Sequence, residues 1–164
     1  MKEVLIEKVV VNMGVGSEPE KMKKSEQVIK LITSKKPVKR SSIKRIPDWD
    51  LRPGVPIGLK VTLRGAEAAA FLKNAFLAKD NKLNIKSFDK EGNFGFGIKE
   101  HIDLQRIKYD PKLGIMGFDV LVTLKKKGFR VKMRKLKNEK IGHKQRVNKE
   151  EAQEFVRSMG VEVQ

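Results

Sequence analysis

The chain has 164 residues, 39% of them hydrophobic, with 37 lysines and arginines against 20 aspartates and glutamates, a formal net charge of +17 and no cysteine. This is the size of one domain with a real core, and the charge surplus repels itself unless a polyanion is near, so nucleic acid is the expected partner. Disulfides and thiolate metal sites are excluded, and no apolar run is long enough to span a bilayer.

Val4 to Met13 is rich in valine and isoleucine and reads as a first strand ending at Gly14 and Gly16. Met1 to Val11 carries Glu3 and Glu7 within its apolar run, so it lacks the uninterrupted core of a signal peptide, and a soluble cytoplasmic protein is expected. Ser17 and Glu20 have capping-box spacing with Pro19 in the first turn, which predicts a helix with Met22, Ser25, Val28, Ile29 and Ile32 as its inner stripe. Lys35 to Arg45 holds six basic residues and no acidic one and is expected as a strand with an outward basic face. Ile46 to Gly54 is a loop carrying the only tryptophan, Trp49, between Asp48 and Asp50.

Val55, Ile57, Leu59, Val61 and Leu63 then alternate with Pro56, Gly58, Lys60, Thr62 and Arg64, a strand that buries one face and offers a cationic, hydroxyl-bearing face outward. Ala66 to about Lys79 predicts a helix on Ala68, Phe71, Leu72, Ala75 and Phe76. Residues 80–111 carry six basic and six acidic residues and predict an irregular segment with short strands. Phe118, Val120, Val122 and Leu124 predict a strand, and Lys125-Lys126-Lys127-Gly128 a turn into a hairpin partner with Phe129, Val131 and Met133 inward and Arg130, Lys132 and Arg134 outward. Lys125 to Lys149 has twelve basic residues and the single acid Glu139, and its middle, Leu136 to Val147, is expected to order on a partner. Asn148 and Glu151 cap a last helix lined by Ala152, Phe155, Val156 and Met159 and closed by Gly160.

Parts for an enzyme are few. His101 and His143, the only histidines, have no metal-ligand spacing and read as ordinary polar or RNA-contacting residues. Gly92 to Gly97 lacks the Lys-Ser or Lys-Thr pair of a phosphate cradle and reads as a structural turn. Asp48 and Asp50 could be metal ligands or a catalytic pair, but at i and i+2 on a proline-flanked loop they read as solvated. Trp49, with Arg45 and Arg52 beside it, either packs on a ribose or base or tucks back onto its own domain. Lys127-Gly128-Phe129 begins like an RNA-recognition motif but Arg130 breaks it. No catalytic residue, cofactor or metal is assigned. The basic segments 35–45, 60–64 and 125–149 form a docking footprint for phosphate and RNA shape, with Lys39, Arg40, Lys60, Arg130, Lys132 and Arg134 as candidate contacts. An RNA-processing enzyme and a general nucleic-acid-compacting protein are the alternatives.

Val10-Val11-Asn12-Met13-Gly14-Val15-Gly16, Lys36-Pro37-Val38, Arg52-Pro53-Gly54-Val55-Pro56-Ile57-Gly58 leading into Lys60-Val61-Thr62-Leu63-Arg64-Gly65, and Gly92-Asn93 followed by Gly97-Ile98 occur in order along the chain. With these motifs it resembles, over nearly its whole length, the large-subunit ribosomal protein L-five family, the universal 5S rRNA binder, in its archaeal branch. The resemblance implies an α+β fold, an antiparallel-rich mixed sheet with helices packed on one side. It also implies a single RNA-binding domain over 1–164 with a basic C-terminal extension from about 125, sitting in the central protuberance of the large subunit. Asn12, Lys35, Lys36, Thr62 and Arg64 would contact 5S rRNA, next to large-subunit rRNA and other central-protuberance proteins. The loop 45–54, with Arg45, Trp49 and Arg52, would reach peptidyl-site tRNA. The segment around Phe88 to Asp103, with Phe88, Asn93, Phe94 and Phe96, would bridge to a protein of the small-subunit head. The chain departs from the family at Thr33-Ser34-Lys35-Lys36-Pro37, where the family has Thr-Gly-Gln-Lys-Pro, and at Trp49, where phenylalanine is common.

Overall fold

The computed structural model describes residues 3–105, 107 and 109–164. Among the described residues four α-helices accompany a five-stranded antiparallel sheet, the α+β fold expected. The sheet is built from β1 (Val4–Gly14), β2 (Val38–Ser41), β3 (Pro56–Leu63), β5 (Phe94–Ile98) and β6 (Phe118–Lys126), in the order β2-β3-β1-β6-β5. Two-residue periodicity sets its faces. Val9, Val11 and Met13 of β1, Leu59, Val61 and Leu63 of β3, and Phe118, Val120, Val122 and Leu124 of β6 are buried at alternate positions. The chain contacts divide into two compact units, one of residues 10–63 and 97–120, the other of residues 1–9, 64–96 and 121–164.

In the first unit, α1 (Pro19–Thr33) packs on β3 and buries Met22, Ser25, Val28 and Ile29 of its predicted stripe, with Ile32 half-buried. Its start differs from the expected capping box. Pro19 takes the first helical position, which makes Glu18 the N-cap, and no side chain caps the helix. Proline favours that position, because its φ is already helical and its missing N–H would have no helical partner there. Ser17 therefore lies one residue too early to cap. The basic strand is also shorter than expected, only Val38–Ser41 of the 35–45 stretch. His101 is 1% exposed and its Nδ1 accepts the Met116 backbone N–H at 3.4 Å. A side chain so enclosed does not reach RNA, which corrects that half of its sequence reading.

In the second unit, α2 (Gly65–Leu77) buries Ala68, Phe71, Leu72, Ala75 and Phe76, the stripe expected. Phe76 stacks on Phe94 and Phe96 with ring centroids 6.3 and 5.6 Å away, and Phe88 meets Phe94 at 5.2 Å. The turn at Gly92 is closed by Asp89, whose carboxylate accepts the Asn93 backbone N–H at 2.7 Å. β4 (Lys82–Leu83) pairs in parallel with β7 (Glu162–Val163), which ties the last residues of the chain down and which the sequence reading did not foresee.

The expected hairpin after β6 does not form. Both edges of β6 are already occupied, by β1 on one side and β5 on the other, so the sheet offers no ladder to a returning strand. The chain turns at Gly128, with φ +99, into the single helical turn α3 (Arg130–Met133). Arg130, Lys132 and Arg134 are thus exposed around a helical turn and its end, not along the outer face of a strand.

The last helix, α4 (Lys149–Ser158), begins as predicted: Glu151 accepts the Asn148 backbone N–H at 3.1 Å. Glu151 also receives Lys126 Nζ at 2.7 Å. Lys126 sits at the next inward position after Leu124 and is 5% exposed, a lysine placed in the core by strand parity. Burial pushes the Glu151 carboxyl up, but the Lys126 ammonium and the Asn148 amide together outweigh it and hold the group below its ordinary value of 4.5. A depressed carboxylate stabilises the fold above its unfolded value and ceases to as pH falls through the folded one. Glu151→Gln is therefore expected to cost about 1–2 kcal/mol at pH 7, the low end for a charged hydrogen bond because Glu151 is 37% exposed, and much less at pH 3. Denaturant unfolding of both proteins at the two pH values checks this; an equal difference at both would remove the charge from the account.

Candidate nucleic-acid interface

The basic face begins with register. β2 and β3 are antiparallel, with Val38 opposite Lys60, Lys39 opposite Leu59 and Arg40 opposite Gly58. Residues directly opposite in such a pair share a face. Leu59 is fully buried, so Lys39 lies on the core side, where its Nζ is 4.0 Å from Glu26 of α1. Arg40, Lys60 and Thr62 lie on the other side. Asn12 falls between the buried Val11 and Met13 of β1 and so points away from the core as well.

Gly58 is what lets this face close up. A Cβ at that position would stand 2.9 Å from the Met13 carbonyl oxygen, a contact with backbone that cannot be relieved by a rotamer change. The missing side chain also leaves Arg40 with no neighbour directly opposite it. No acidic residue occurs on β2 or β3. Arg64 keeps extended backbone, φ −141 and ψ 159, and continues the alternation of Lys60 and Thr62 to the residue before α2.

Lys35 and Lys36 join α1 to β2, Lys35 half-exposed and Lys36 exposed. Nearby, the Lys30 ammonium at 3.1 Å is the main cause holding the Glu26 carboxyl below its ordinary range, with smaller pulls from Lys39 and Lys36 against a burial cost. Glu26 therefore draws Lys39 further from the open face.

The loop ahead of β3 is a compact turn. Ile46 and Leu51 exchange both backbone hydrogen bonds, at 3.0 and 3.1 Å, around a 3-10 turn at Pro47–Trp49 and a left-handed Asp50 with φ 49. Leu51 anchors it at 9% exposure, while Trp49 is 69% exposed at its tip and Arg45 and Arg52 are exposed beside it. Of the two readings of Trp49, the ring does not tuck back. Among the described residues no group of three His, Asp or Glu side chains converges to hold a metal ion.

In the second unit, Phe88, Phe94 and Phe96 are 5%, 3% and 8% exposed. Their rings form core around Phe76 and do not reach a partner's surface, so only Asn93 of the four expected bridge residues is partly exposed, with its Nδ2 on Asp89 at 2.8 Å. Arg134 Nε donates to the Lys137 carbonyl at 2.6 Å and Lys132 Nζ lies 5.8 Å from the Phe129 ring centroid, while Arg130 lies on the same side of the turn as Arg134. No helix among the described residues is long and apolar enough to cross a membrane.

Two family models divide the chain between them: ribosomal protein L5 matches residues 1–52 and the ribosomal L5P family C-terminus matches residues 56–162. The chain belongs to the ribosomal protein L5 family. It is 48% identical over 164 residues to the large ribosomal subunit protein uL5 of Pyrobaculum aerophilum, covering 99% of this chain and 92% of that one. It is 44% identical to the uL5 protein of Nanoarchaeum equitans, with 99% and 97% covered, and 44% identical to that of Archaeoglobus fulgidus, with 100% and 92% covered. These L5 relatives are archaeal, and this is an archaeal-type L5 chain. L5 proteins are structural ribosomal proteins and not enzymes, which sets aside the RNA-processing enzyme.

Proposed function

We propose that this L5 chain is a structural constituent of the large ribosomal subunit in the cytoplasm, acting as one RNA-binding domain whose basic stretch from about 125 is an extension. It binds 5S rRNA and adjacent large-subunit rRNA in the central protuberance. The observation that carries this is the acid-free face of Asn12, Arg40, Lys60 and Thr62 on neighbouring strands, which presents cations and hydrogen-bonding groups to a phosphate backbone. Arg64, Lys35 and Lys36 extend the contact. The exposed Trp49, flanked by Arg45 and Arg52, reaches peptidyl-site tRNA, where an indole ring stacks and the guanidinium groups meet phosphate. The segment 88–103, whose four acidic residues against two basic ones suit a protein better than phosphate, faces a protein of the small-subunit head with Asn93.

Competition separates this from general nucleic-acid compaction. With labelled 5S rRNA bound to the full chain, unlabelled 5S rRNA is expected to displace it at about 10³-fold lower concentration than duplex DNA of equal charge, the usual minimum gap between specific and non-specific binding. Equal displacement would make the protein a compactor. Shortening the turn at 47–53 is expected to leave the 5S rRNA curve unchanged while weakening peptidyl-site tRNA contact. Loss of 5S rRNA binding in a shortened chain with an unchanged melting curve would refute the division of labour between loop and sheet.

A further inference from the structure

The second unit carries an open pocket of about 710 Å³, apart from the sheet face and lined in part by Lys132 and by Glu91 and Asn93 of the segment 88–103. The basic stretch after β6 lines it together with Thr123 and Leu124 of β6. Its volume lies within the range of small-ligand sites, which combine an apolar lining with a few placed polar groups. Phe129, Ile141 and Val147 provide the apolar part.

The charged groups are arranged for a ligand that is not simply an anion. Lys132 and Lys140 have no acidic partner within 4.0 Å among the described residues, and Lys132 holds its ammonium 5.8 Å from the Phe129 ring centroid. An aromatic ring with a cation beside it is the pairing that a base and its phosphate require. The carboxylates of Glu7, Glu91 and Glu139 also line the cavity, Glu91 lying 3.8 Å from Arg146. An acidic peptide would gain from the cations and be repelled by these carboxylates. A nucleotide uses both, its phosphate on the lysines and the N–H donors of its base on carboxylate and amide acceptors.

We infer that this cavity takes one unpaired nucleotide of ribosomal RNA, its base against Phe129 and its phosphate at Lys132 and Lys140. The inference rests on the reading that the chain binds ribosomal RNA, and adds a pocket separate from the sheet face.

The test is an NMR titration of the isotopically labelled full chain with guanosine monophosphate, with inorganic phosphate and an acidic peptide as parallel probes. The expected result is saturable shifts at the Phe129, Ile141 and Val147 amides with the nucleotide. Phe129→Ala should weaken that binding about tenfold, the scale of one base stacked on an aromatic ring, and Lys140→Glu should weaken it without touching the ring. The Arg40→Ala/Lys60→Ala protein should titrate like the parent even where its 5S rRNA binding is lost, which separates failure of the pocket from failure of the sheet face. Equal shifts with phosphate alone, tighter binding of the acidic peptide, or no saturable shift with the nucleotide would each overturn the assignment.

Discussion

Phe76→Ala is expected to lower the unfolding free energy by about 3–5 kcal/mol, the cost of emptying a fully packed aromatic site. The ring is 2% exposed and stacks on both Phe94 and Phe96. β5 alternates these two rings with Gly95 and Gly97, so its grip on the core comes from Phe94, Phe96 and Ile98 alone. Removing Phe76 takes away the surface on which two of the three rest, and glycine neighbours have no side chains with which to fill the gap. Denaturant unfolding read by circular dichroism measures the loss, with Lys73→Ala, an exposed residue of the same helix, as a control expected within about 0.5 kcal/mol of the parent. A Phe76→Ala loss below about 1 kcal/mol would mean that the ring cluster collapses around the vacancy, and that β5 is held by its backbone ladder instead.

Phe76 is legible in the sequence because a thirteen-residue helix with five inner residues at helical spacing leaves one solution for which face is buried. β6 was legible for the same kind of reason with period two. The failures lie where local pattern met a tertiary limit. Phe129, Val131 and Met133 alternate as a strand would, but a strand needs a free neighbour, and β6 lies between β1 and β5. Ser17 and Glu20 match a capping box, yet Pro19 between them fixes where the helix starts. β7 is two residues long, too short to carry any period, and exists through its pairing with β4.

The candidate site divides in the same way. Lys60, Thr62 and Arg64 were readable as an outward set because they belong to one alternating run. Lys39 and Arg40 were readable only as basic, since which of two adjacent residues faces outward is decided by register with β3, and register is a property of the pair. Burial overrides expectation in three further places. The resemblance puts Phe88, Phe94 and Phe96 in a protein-facing segment, but their rings fill the core beside α2. His101 is polar and enclosed. Lys126 belongs to a run of three lysines, and only its parity with Leu124 signals that it turns inward to Glu151.

Arg40→Ala/Lys60→Ala is expected to weaken 5S rRNA binding about 10- to 100-fold near 100 mM salt, while Lys39→Ala stays within about twofold of the parent, because a lost phosphate contact lowers affinity through the ions no longer released. The contrast follows from strand parity alone. All three residues are basic, exposed or half-exposed, and lie on two paired strands, but Lys39 shares a face with the buried Leu59 and is drawn to Glu26, whereas the other two share the open face. The dependence on salt gives a second and independent reading. If each of the two side chains neutralises one phosphate, the slope of log affinity against log salt between about 50 and 200 mM should shrink by roughly 2 in the double variant and stay unchanged in Lys39→Ala. Weaker binding with an unaltered slope would mean that the substitutions disturb the sheet and not the charge, which a melting curve would confirm. A Lys39→Ala protein as weak as the double variant would show that RNA wraps the edge of β2, contacting both faces, and the one-sided footprint would have to be given up.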